Sequence, residues 1–137
     1  MPLGYDYIRD ISVEAAVAWF EERTLKCLGP NQPTPDLAEW HCTHEFMDGT
    51  TIEARIIGDR QGVAQIIGIA SGLSAEDSAG YLGPTAAGIA VDESEHDALS
   101  LWAHQRAVGG GLRVFGHGVV VQLQPHSAHR AISITAS

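Results

Sequence analysis

The chain has 137 residues, the size of one domain that buries roughly two thirds of the surface its unfolded chain exposes. Apolar residues make up 45% and charged residues 18%, which is typical of a folded protein and excludes a disordered one. Eight basic residues against 17 acidic ones give a formal net charge of -9, which repels nucleic acid and anionic membranes. We therefore predict a single domain over residues 1–137. Its partner is expected to be a protein, for which a basic surface would be complementary, rather than nucleic acid or a membrane.

The sequence also bears on the compartment. Residues 1–10 contain no basic segment followed by an apolar run, and no stretch approaches the length of a membrane-spanning helix. Cys27 lies at the end of a predicted helix and Cys42 in a predicted strand, and no CxxC motif is present. We expect two buried thiols rather than a disulfide, and a cytoplasmic protein.

A helix is predicted near the start of the chain. Ser12 can cap it, Glu14 lies in its favourable first turn, and apolar residues recur at helical spacing to about Leu28. The stretch Gly29–Pro35 then ends the helix and, with three prolines, predicts a surface loop.

Two alternating strands follow, from Glu39 to Phe46 and from Thr50 to Ile57. A two-residue turn at Asp48-Gly49 would mix core and solvent faces, so we predict a three-residue loop over Met47–Gly49. This loop opposes the inward residues in pairs: His44 to Ile52, Cys42 to Ala54 and Trp40 to Ile56.

The rest of the chain gives further elements. The apolar run Val63–Ala70 predicts a central strand covered on both faces. A short helix is predicted from Ser74 to Gly83, and a second one begins at Asp92 and ends at Gly109–Gly111. The stretch Thr85–Val91 stays ambiguous.

The C-terminal region predicts two strands, Leu112–Gln124 and Arg130–Thr135, with a bend or bulge around His117 because glycines flank it. The element order is α-β-β-β-α-(α)-β-β. We therefore predict an α+β fold in which an antiparallel sheet of about five strands has helices packed on one face.

Seven histidines raise the question of a metal. His41 and His44 have HxxH spacing, but residues three apart in a strand project to opposite faces and cannot share one ion. His126 and His129 lie in a predicted turn, and His96 lies among acidic residues that the helix dipole itself favours. We expect no metal, with His96, His126 and His129 as the remaining candidates.

The predicted hairpin places His41, Glu45, Glu53 and Arg55 on the face opposite Trp40. If a cleft covered them, these groups could act as general acids and bases. If they face water, they form cross-strand charge pairs worth a few tenths of a kcal/mol each. These four residues are the candidate catalytic set.

The sequence contains no GxSxG, P-loop or HExxH motif, and Gly109–Gly111 follows a helix rather than preceding one. We expect no cofactor and favour a small binding or regulatory protein that acts through protein–protein contacts. An open sheet leaves edges to cover, which favours a homodimer. The alternative is a small enzyme or ligand-binding protein with a pocket between the sheet and the helices.

Overall fold

Strands of alternating polarity join into one antiparallel sheet in this α+β domain. The computed structural model describes residues 7–8, 11–34, 37–47, 49–59, 62–72, 77, 81–125 and 129–136. The main elements are, in chain order, α1 (Val13–Glu21), β1 (Lys26–Thr34), β2 (Leu37–Glu45), β3 (Thr51–Asp59), β4 (Gly62–Ser71), α2 (His96–Gln105), β5 (Gly111–Phe115), β6 (Val119–Pro125) and β7 (His129–Ala136).

The sheet has seven strands in the order β1-β2-β3-β4-β7-β6-β5. Strands β1 to β4 form a meander, the chain then crosses to the opposite edge, and β5 to β7 return so that β7 pairs with β4. The predicted α+β class and antiparallel sheet are confirmed, but the count of about five strands is wrong.

The first hairpin has the predicted register. Residues of β2 and β3 pair as His44 with Ile52, Cys42 with Ala54 and Trp40 with Ile56. The N–H of Phe46 donates to the Thr50 carbonyl at 2.8 Å, which closes a three-residue loop. Gly49 takes the positive φ of +90° that this loop requires.

The first helix is shorter than predicted. The Ser12 side chain accepts from the Ala15 N–H at 3.1 Å, as expected of a cap, but the helix ends at Glu21 rather than near Leu28. Thr24 adopts a left-handed φ of 71°, which ends the helical path. Of the apolar residues after it, Leu25 lies just before the sheet and is buried, and Cys27 and Leu28 lie in β1.

The predicted loop Gly29–Pro35 is wrong over residues 29–34, which belong to strand β1. Pro30 and Pro33 are tolerated because β1 is an edge strand, where a missing N–H removes no ladder bond. The register with β2 shifts twice, between Leu28 and Asn31 and again between Asn31 and Thr34.

The two cysteines form a disulfide, so the expectation of two free thiols is wrong. With Cys27 on β1 instead of a helix, it lies directly opposite Cys42 on β2, and the bond ties the edge strand to the sheet.

The helices cover one side of the sheet, here called the inner face. Val13, Ala16 and Phe20 of α1 are buried against it, and Leu99 and Trp102 of α2 belong to the same core. Both described α-helices therefore contribute to the same core.

Strand β4 is the fourth of seven and therefore central, as predicted. On its other side Ile67 and Ile69 are only half-buried. The second cover expected from the apolar run is not present among the described residues.

The C-terminal half follows the prediction in part. A π-helical turn, Gly83–Ala87, replaces the expected break at Gly83, while Ser74 lies outside the described residues. Helix α2 ends at Gln105, earlier than the predicted stop at Gly109–Gly111, and a turn follows in which the Gly110 N–H donates to the Arg106 carbonyl at 2.7 Å. The predicted strand Leu112–Gln124 is two strands, because the turn Gly116–Gly118 reverses the chain instead of bending it.

Candidate functional site

No described helix covers the face of the sheet opposite the helices, here called the outer face. Alternation puts every second side chain of β2, of β3 and, from Gln65 onward, of β4 on this face, as it does for the described parts of β5 to β7. None of these outward side chains whose exposure is described is buried, whereas their inward neighbours mostly are. The outer face therefore contacts solvent in the monomer.

Its centre is apolar. Ile57 of β3 and Ile67 and Ile69 of β4 point outward and are half-buried, while their neighbours Ile56 and Ile66 are fully buried on the inner face. A sheet that only faces water normally presents polar residues at such positions. The isoleucines give the outer face an apolar strip along its middle strands.

Three of the four sequence-predicted site residues meet beside this strip. His41 pairs with Arg55 across β2 and β3, and the His41 Nε2 lies 3.7 Å from the Glu53 Oε1. The Arg55 Nε lies 3.9 Å from the Glu39 Oε1. Glu45 is exposed about 13 Å along the strand from His41, so it is not part of this cluster.

The cluster is only partly covered. The side chains of His41, Glu53 and Arg55 are 38%, 35% and 46% exposed. Ion pairs at this exposure contribute between zero and about 1 kcal/mol each to stability. The groups lie close enough for acid–base chemistry, but the described residues form no cleft that would exclude water from them.

One atom of the cluster lacks a hydrogen bond. The Nε2 of His41 is itself buried although the ring is half-exposed, and it has no hydrogen-bond partner among the described residues. The Glu53 carboxylate at 3.7 Å is within ion-pair range but beyond hydrogen-bond length. A small side-chain movement or a bound group can satisfy this nitrogen.

A second cluster, which the sequence did not reveal, joins α1 to the π-helical turn Gly83–Ala87. The indole N–H of Trp19 donates to the Thr85 carbonyl at 2.7 Å, and the Arg23 guanidinium stacks 3.2 Å from the Trp19 ring centroid. Burial raises the pKa of Tyr81, against the opposing effects of a hydrogen bond with Thr85 and the charge of Arg23. These polar groups bond to one another, so the cluster fastens two elements together.

Of the metal candidates, only the His96 side chain is described. Its Nε2 lies 2.8 Å from the Gly88 carbonyl oxygen and 3.0 Å from that of Val91, so this nitrogen carries a proton and donates. His126 and the side chain of His129 lie outside the described residues. The described part of the chain contains no group of three or more His, Cys, Asp or Glu side chains arranged to hold a metal.

Comparison of the chain with protein-family models, curated proteins and solved structures found no match. No described helix is both long and apolar enough to cross a membrane. The function is therefore inferred from the geometry of this chain alone.

Proposed function

We propose that the protein is a non-catalytic binding domain that holds a protein partner on the outer face of its sheet. The observation that carries this proposal is the apolar strip of Ile57, Ile67 and Ile69 at the centre of a face that no described element covers. Contiguous exposed apolar surface with a polar surround is typical of protein interfaces.

The surround of the strip differs on its two sides. Toward β1 the outer face carries Glu39, Glu45 and Glu53 against Arg55 and Lys26, with His41 among them. Toward β5 it carries the uncharged polar residues Gln122 and Ser133 on β6 and β7, followed by the exposed apolar Leu112 and Val114 on the edge strand. The acidic residues outnumber the permanent cations here, so a partner with basic side chains near an apolar anchor is complementary.

His41 adds a polar contact to this surface. Its Nε2 is buried without a hydrogen bond, and a buried polar atom left in that state costs about 1–3 kcal/mol. A partner that places a hydrogen-bonding group beside Glu53 would satisfy the nitrogen and gain specificity from it.

The acid–base groups needed for the catalytic alternative are present, but no described element encloses them. His41 and Glu53 lie close together, yet both are more than a third exposed on an open sheet face. General acid–base catalysis benefits from a site that excludes water, and the described residues around His41 and Glu53 form no such enclosure.

The test compares variants on the two sides of the molecule. Ile67→Glu places a charge in the apolar strip, whereas Leu101→Glu changes an exposed residue of α2, a helix of the opposite side. We expect a partner recovered from cell extract with the native protein to be lost with Ile67→Glu and kept with Leu101→Glu. A photo-reactive residue at Ile69 should cross-link to that same partner.

A partner that binds Ile67→Glu as well as the native protein would contradict the proposal. So would turnover of a small molecule that depends on His41 and Glu53. Far-ultraviolet circular dichroism of each variant establishes that it is folded before binding is compared.

A further inference from the structure

The two edges of the sheet differ in how they are protected against pairing with another strand. Strand β1 carries Pro30 and Pro33, its register with β2 shifts twice, and a disulfide holds it. Prolines and bulges are the devices that natural proteins use to prevent edge-to-edge association. The β1 edge is therefore blocked.

Strand β5, at the other edge, has no proline, bulge or disulfide, and its protection is limited to its short length and the charge of Arg113. Its five residues pair with β6 without a register shift, and it contains neither proline nor an acidic residue. Leu112 and Val114 are 60% and 55% exposed, and Arg113 between them is exposed as well. Among the described residues no loop or helix adds a backbone hydrogen bond to residues 112–115 from outside the sheet.

The surroundings of β5 also favour association. Of the six large apolar side chains that the described residues expose, four lie between Leu101 and Val114. All 17 acidic residues of the chain precede residue 98, so β5, β6 and β7 carry no negative charge. Negative charge approaches β5 at its end, where the Glu95 carboxylate accepts from the Gly116 N–H at 3.0 Å, while the strand itself carries only the positive charge of Arg113.

We propose that a second copy of the chain pairs with this one through β5, antiparallel and edge to edge, so that the two sheets become continuous. Such a contact is isologous, since a two-fold axis perpendicular to the sheet relates the two strands. The unpaired N–H and C=O groups of each β5 edge then find their partners on an identical edge.

The side chains select the register of this pairing. Opposite residues of antiparallel strands share a face, so the two-fold axis must lie beside one residue of β5. Centred on Arg113, the pairing would place two guanidinium groups opposite each other, which is unfavourable. Centred on Leu112, it would oppose Arg113 to Gly111, which offers no contact.

Centred on Val114, the pairing places the two Val114 side chains together and opposes Arg113 to Phe115 of the second copy. Within one chain the Arg113 guanidinium already lies 4.9 Å from the centroid of the buried Phe115 ring, so in this register each Arg113 opposes an uncharged residue. This register pairs two exposed apolar side chains and avoids like charges directly opposite each other.

The contact between two five-residue strands is small. It falls in the class of interfaces that bury less than about 1,200 Å² in total, which dissociate readily. The dimer is therefore reversible, and its population rises with protein concentration. It leaves both outer faces free and does not rest on the proposed binding of a partner there.

Single cysteine variants test the register directly, because no described cysteine is free and the native pair is already bonded. Oxidation by copper–phenanthroline should link Val114→Cys into a dimer as the main product. Arg113→Cys, whose copies lie opposite Phe115, and Ile67→Cys on the outer face serve as matched controls and should stay monomeric.

Sedimentation equilibrium gives an independent measurement on protein without added cysteine. The native protein should show a concentration-dependent dimer, and Val114→Lys should raise its dissociation constant about fivefold or more. A native protein that stays monomeric at all concentrations would overturn the proposal. Cross-linking at Arg113 or Ile67 in preference to Val114 would do so too.

The two proposals fail in distinguishable ways. Loss of the dimer in Val114→Lys with partner binding intact leaves the outer face as the partner site. Loss of partner binding in Ile67→Glu with the dimer intact leaves the β5 contact in place.

Discussion

Close packing on the inner face leaves no room for a side chain at Gly68. Gly68 lies in the central strand, where the π-helical turn comes closest to the sheet. A Cβ atom built at Gly68 would lie 2.6 Å from the Ala86 Cβ and 3.1 Å from the Leu82 Cδ2. The absence of a side chain therefore sets the distance at which the crossing segment covers the core.

Gly68→Ala should lower the free energy of unfolding by about 1–3 kcal/mol, because the added methyl group meets a Cβ that cannot rotate away. Gly109→Ala is the matched control, since a Cβ there meets nothing within 4 Å. Urea unfolding of both variants measures the difference. Equal stability of the two would show that the crossing segment is not held as closely as described.

Among the secondary-structure elements, the first hairpin could be predicted from the alternation of its side chains and from its turn residues. The hairpin register follows from the inward pattern of Trp40, Cys42 and His44, and the three-residue loop follows from Gly49. Strand β1 was missed because its prolines mimic a loop and because apolar spacing continued past the true helix end. The disulfide was missed for the same reason, since it requires Cys27 to lie on a strand.

The disulfide between β1 and β2 contributes to the stability of the fold. The bond closes a 15-residue separation between Cys27 and Cys42, for which loop-closure entropy gives a stabilisation of about 3 kcal/mol. Cys27→Ala combined with Cys42→Ala should lower the unfolding free energy by about that amount in a denaturant titration.

Hydrogen exchange locates the effect of that change. Protection should fall first in β1, which the bond ties to β2, and least in the central strand β4. A uniform loss of protection would contradict a local role for the bond. Since such bonds persist mainly in oxidising compartments, the cytoplasmic location stays a prediction that the disulfide does not support.

At the scale of the whole molecule, the candidate site depends on which side of the sheet the helices cover. The sequence placed His41, Glu53 and Arg55 on one face, and the structure brings them together there. Whether that face is open could not follow from alternation. The run Ile66, Ile67 and Ile69 looks the same in a strand covered on both sides as in one with an exposed apolar strip.

Adjacent isoleucines of β4 distinguish these two arrangements. Ile66 points to the inner face and is fully buried, so Ile66→Ala should cost about 2–5 kcal/mol through lost contacts and a cavity. Ile67 points to the open face, and Ile67→Ala should cost less than about 1.5 kcal/mol because its site borders solvent and leaves no cavity. Denaturant unfolding at low protein concentration measures both in the monomer. Comparable losses would mean that a second layer covers the outer face, and the partner would then have to bind elsewhere.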